Sequence, residues 1–151
     1  LLAPGAFVWG SSQPVKGNGL ETDSTEQLRV LIEELSEDAK KIGLTRDRIE
    51  ARVNQSVRKS GITPVVPGPV AFGSSGGELY VSVSVSGYGF CITMFFVRRV
   101  FYNIGDRWFT YEGNTWHSLS IGYSREADYI LDVVGAKVEG FCNEFLRANG
   151  K

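Results

Sequence analysis

Polar and apolar positions alternate most clearly over residues 78–86. Leu79, Val81, Val83 and Val85 interleave there with Tyr80, Ser82, Ser84 and Ser86. A period of two predicts a half-buried antiparallel strand with one apolar and one small polar face. Gly87-Tyr88-Gly89 follows as a turn, and FCITMFFVRRVFYN is then apolar on both faces until Arg98. Such a run belongs at the centre of a sheet or under a covering segment. IGDR breaks it. WFTY and TWHSLSIG are two more strand candidates, joined by a turn at Glu112-Gly113-Asn114. The pattern predicts a four-stranded antiparallel meander.

Before the meander, residues 28–34 alternate and are partly β-branched, which favours a strand over the competing helix. Residues 36–42 then read as a short helix or turn. A clearer helix spans 46–60. Thr45 is its N-cap, Leu44 and Ile49 occupy staple positions, and Ile49, Val53 and Val57 form one apolar stripe. Gly61 stops it. The Pro-rich stretch ITPVVPGPVAFGSSGG allows only a short or edge strand.

The last helix is expected over 125–148, with Ser124 as N-cap and a stripe from Ala127 to Phe145. Gly135 and Gly140 inside it suggest close approach to the sheet, or a kink. The fold expected is α+β: an antiparallel sheet of about four to five strands with two main helices on one face. Residues 1–27 read as an arm or linker and 28–151 as a single domain.

Composition narrows the function classes. Sixteen basic against 17 acidic residues give a net charge of -1, so there is no excess of cations to meet a phosphate backbone. Nucleic acid is therefore not an expected partner. No run approaches the roughly 20 apolar residues of a membrane-spanning helix. LLAPGAFVWGSSQ reads either as the tail of a signal peptide or as an apolar arm, with Phe7-Val8-Trp9 covering sheet aromatics.

Candidate chemistry is sparse. Cys91 and Cys142 lack CxxC spacing. In an exported protein they are a disulfide candidate, and two buried free thiols are the simpler reading. His117 is the only histidine, so no His-based metal site is expected, and no cofactor. A strand over 115–121 puts His117 on one face with Thr115, Leu119 and Ile121, and Trp116 on the other with Ser118 and Ser120. A small hydrolase built on His117 would need a serine or carboxylate partner. The chain has no G-x-S-x-G elbow. The pairs Glu33-Glu34, Glu37-Asp38 and Asp47-Glu50 lie among mixed charges typical of a solvated surface. GSSGG lacks the Lys-Ser/Thr ending of a phosphate loop and reads as a turn.

Aromatics crowd the sheet region, and Trp108, Tyr111, Trp116 and His117 are the candidate binding residues for a protein or glycan partner. GLTRDRIEARVNQSVRKSGI, LYVSVSVSGYG, TWHSLSIG and FCNEFLRAN occur in an order that resembles a loose group of small exported bacterial proteins of unassigned function. The resemblance covers about residues 28–149 and implies an α/β sandwich, periplasmic or secreted. A weaker similarity is to the small α/β domains of envelope assembly proteins. Neither carries over a functional residue. The expected function is a non-catalytic extracytoplasmic binding or envelope-assembly module.

Overall fold

The computed structural model describes residues 17–22, 25–65 and 77–151. Within them the elements run β1 (Gln27–Ile32), α1 (Glu37–Lys41), α2 (Arg46–Lys59), β2 (Thr63–Val65), β3 (Glu78–Ser86), β4 (Gly89–Ile104), β5 (Arg107–Tyr123) and α3 (Ala127–Ala148). The fold is α+β, with one sheet in the order β2-β1-β3-β4-β5 and the long helices α2 and α3 packed on one face of it.

The sheet is mixed, not purely antiparallel. β1 runs parallel to both β2 and β3, and only β3-β4-β5 form an antiparallel meander. The connection between β1 and β2 passes through α1 and α2, and such a helical crossover returns the chain in the same direction. β2 is three residues with Pro64 at its centre, which suits an edge because Pro has no N–H to donate.

The meander has three strands, not the four expected. Its second turn is Gly105-Asp106, between the paired Ile104 and Arg107. Gly105 has φ +62°, and a glycine with positive φ at the first loop position matches the twist of the flanking strands. Glu112-Gly113-Asn114, expected as a turn, lies inside β5. Phe96 pairs with Trp116 but Val97 pairs with Asn114, so Thr115 is the extra residue of a β-bulge. β3 stops pairing with β4 at Val97. Beyond that point β4 and β5 continue alone as a two-stranded arm.

The helices follow their local signals with one shift. The Thr45 hydroxyl accepts the Arg48 N–H at 3.2 Å and starts α2. α3 begins at Ala127, and Ser124 accepts the Glu126 N–H at 3.0 Å in the turn before it, not as its N-cap. Arg48 pairs with Asp128, Arg52 with Asp132 at 2.6 Å and Lys59 with Glu139 at 3.0 Å. All three pairs have the same sequence offset, so the two helices run in the same direction. A Cβ at Gly135 would lie 2.4 Å from Arg52 Nε. That glycine makes room for an arginine of α2, not for the sheet. Gly140 has nothing within 4 Å of its Cβ position, so no close approach explains it.

The core lies between helices and sheet. Phe96 packs on Phe141 and Phe145 with ring centroids 5.7 and 5.6 Å away. Leu20 is also fully buried, so the packed body begins before residue 28. The Asn149 amide holds this segment, donating to the Leu20 carbonyl at 2.9 Å and accepting the Thr22 N–H at 2.8 Å.

Candidate binding face

Strand pairing sorts the side chains of β4 and β5 onto two faces. Phe90, Ile92, Met94 and Phe96 face the helices and are buried. Their partners on β5 are Gly122, Ser120, Ser118 and Trp116, which share that face. The opposite, open face carries Cys91, Thr93 and Phe95 of β4 beside Ile121, Leu119 and His117 of β5. No described element lies over this face.

The open face is apolar where it is most exposed. Ile121 is 71% exposed and Tyr123 84%, with Leu119 also exposed between them and His117. The same row continues into the arm through Arg99 and Glu112, Phe101 and Thr110, and Asn103 and Trp108. Phe101 is exposed, and Trp108 is 72% exposed. Towards β3, Tyr80 contacts Phe95 at 6.1 Å between ring centroids. Burial, then a hydrogen bond with Glu33, raises the Tyr80 phenol above its ordinary pKa, so it stays neutral.

The four candidate binding residues do not form one cluster. Trp108 and His117 share the open face but lie roughly 30 Å apart at about 3.3 Å per residue. Tyr111 is on the other face of the arm, its ring edge-on to Tyr102 at 5.6 Å. Trp116 is on the helix side. Its ring meets Phe141 at 5.0 Å, and its indole N–H donates to Glu144 at 3.1 Å. It braces α3 against the sheet. His117 sits across from Phe95, with Leu119 next on its own face.

Cys91 and Cys142 are both free, and the candidate disulfide is not formed. Cys91 is on the open face, whereas Cys142 is a buried residue of α3 on the other side of the sheet. The sheet stands between them. Burial pushes the Cys142 thiol up to about 11.

The root of the arm is tied to the chain's early residues. Arg98 donates to the Glu21 carbonyl and lies 3.6 Å from its carboxylate. The Thr115 hydroxyl donates to the Gly19 carbonyl. Burial raises the Glu21 carboxyl, but backbone N–H donors and Arg98 outweigh it and hold the group below its ordinary value. A Cβ at Gly19 would overlap the Thr115 carbonyl, and φ +86° there also requires glycine. The bulge therefore anchors the arm.

Sequence reasoning missed the exposed Leu119, Ile121 and Tyr123 as surface residues. Their signal was present: an aliphatic row alternating with serines, at the end of the meander. Among the described residues no group of three or more His, Cys, Asp or Glu is placed to hold a metal. No described helix is long and apolar enough to cross a membrane. No protein-family model matches the chain, and no curated protein matches it.

Proposed function

We propose that the chain is a non-catalytic binding or assembly module that acts outside the cytoplasm, periplasmic or secreted. Its binding surface is the open face of β4 and β5. The observation that carries this reading is the exposed apolar group Leu119, Ile121 and Tyr123, with Phe101 and Trp108 further along the same face beyond Arg99 and Glu112. Soluble monomers rarely leave contiguous apolar patches beyond a few hundred Å² on the surface, and larger ones mark interaction sites. Aliphatic Leu119 and Ile121, side by side with Tyr123 at the base of the row, favour a protein partner over a glycan. Placement outside the cytoplasm is supported by the apolar, small-residue stretch LLAPGAFVWGSSQ and by the resemblance to small exported proteins.

Site-specific photo-crosslinking in the native cells tests the surface. A photoreactive residue at position 121 is expected to give a discrete cross-linked protein, and one at Gln55 on α2 is not. Equal, diffuse labelling from both positions contradicts the reading. Fractionation of the same cells tests the compartment, and recovery only with the cytosol removes that part of the proposal.

A further inference from the structure

The open face has a property that random apolar exposure does not give. Most of its cross-strand pairs join a large group to a small one, or a cation to an anion; Phe95 across from His117 and Val97 across from Asn114 are the exceptions. Leu119 pairs with Thr93, Ile121 with Cys91 and Phe101 with Thr110. In the middle of the row Arg99 lies directly across from Glu112. Consider a two-fold axis running along the hairpin between β4 and β5. It sets β4 of one copy over β5 of another. Leu119, Ile121 and Phe101 then meet the small partner residues of the second copy, Phe95 meets its His117 ring, and Arg99 meets its Glu112. The surface is complementary to itself, as an isologous interface requires.

We infer that the partner on this face is a second copy of the same chain, packed open face to open face as a two-fold dimer. The inference rests on the reading of the face as a binding surface and names its occupant. Sheets packed this way stand about 10 Å apart and bury interdigitating side chains, with the helices on the outside. The available area is sufficient. An aromatic side chain buries about 150–250 Å². Phe101, Trp108 and Tyr123, with the aliphatic Leu119 and Ile121 and the half-exposed Phe95, therefore approach the roughly 800 Å² per partner of a stable interface. Charge agrees with shape: β5 has only Arg107 and Glu112 as charged residues besides His117, and β4 only Arg98 and Arg99.

The test is sedimentation of the full chain over a concentration series, with three variants. The parent chain is expected to form a dimer. Leu119→Thr/Ile121→Thr keeps strand-compatible residues while removing the aliphatic pair, and should weaken association at least about tenfold. Arg99→Glu and Glu112→Arg should each weaken it, since each sets like charges across the axis. An equimolar mixture of these two chains should associate again, although each still carries a like-charged pair within itself. That recovery is specific to contact between copies.

A parent chain that is monomeric throughout overturns the inference, whether another protein or residues 1–16 of the same chain occupies the face. So does a dimer that the Leu119→Thr/Ile121→Thr change leaves intact, or a mixture that stays apart. A monomer that still gives a discrete cross-link at position 121 sinks the dimer alone and leaves the binding surface standing. A monomer with no such cross-link sinks both.

Discussion

β3 and β5 flank the same strand and are built from similar residues, yet their patterns are inverted. In β3 the aliphatic residues Leu79, Val81, Val83 and Val85 face the helices and are buried, and the serines face away. In β5 the serines Ser118 and Ser120 share the helix face, and Leu119 and Ile121 point to the open side. The helix side of β5 needs little volume because β4 and α3 fill it. A Cβ at Gly122 would lie 2.4 Å from the Phe90 ring, and Trp116 and Phe141 close the rest. Folding therefore uses the apolar row of β3 and makes little use of that of β5. An apolar row that the fold does not bury is available for binding.

The two edges of the sheet repeat this contrast. β2 is a short edge carrying Pro64, a device that blocks further strand pairing. β5 spans 17 residues with no Pro and no Lys. One side of the molecule is closed against association, and the other is not.

The largest effect should come from neighbouring residues on opposite faces. Phe96→Ala removes a ring that is 0% exposed and touches Phe141 and Phe145, and should cost about 3–5 kcal/mol of unfolding free energy. Phe95→Ala, one residue away on the open face, should cost about 1 kcal/mol or less, the scale of a cross-strand pair. Chemical denaturation of both variants measures the difference. Similar costs would mean that the open face belongs to the core.

The cysteines give a second contrast of the same kind. In the monomeric folded chain Cys91 should react with a thiol reagent, and Cys142 only after unfolding. A non-reducing mass measurement should show no linkage between them. The Cys142 thiol titrates near 9.0 when unperturbed and is raised to about 11 by burial. The folded chain therefore keeps a proton that the unfolded chain releases. Stability is intact below pH ~9 and falls as pH rises towards ~11, by roughly 2–3 kcal/mol at most. Cys142→Ala should flatten that slope, whereas Cys91→Ala should not.

A smaller contrast lies within α3. Gly140→Ala should stabilise the chain by about 0.5–1 kcal/mol, because the position is helical and open. Gly135→Ala should gain less or lose, since the new methyl must displace Arg52 and disturb its pair with Asp132. Thermal melting of the two variants reads this difference directly.

The sequence made the body of the fold legible where burial and periodicity coincide. β3 and α2 lie where the alternation, the Thr45 cap and the Gly61 stop put them. The arm was not legible for a physical reason. Its two strands have no core beneath them, so their side-chain order is not tied to burial. Glycine and asparagine also occur beside bulges as readily as in turns, and Gly113-Asn114 proved to be paired residues of β5 next to the Thr115 bulge. Strand direction was equally hidden, since a period of two is the same in parallel and antiparallel pairing. Trp116 and His117 do lie on opposite faces, as their adjacency in a strand requires. The weight given to Trp116 as a binding residue came from its type. Its position beneath α3 depends on Phe141 and Glu144, 25 and 28 residues further along the chain.

The open row of β5, proposed to bind, hardly contributes to folding. The most direct measurement is the unfolding free energy of Leu119→Thr/Ile121→Thr, taken at a concentration where the parent chain is monomeric and set beside its self-association. The expected result is a stability within about 1 kcal/mol of the parent, with association weakened at least tenfold. A loss of several kcal/mol, or unchanged association, would contradict it.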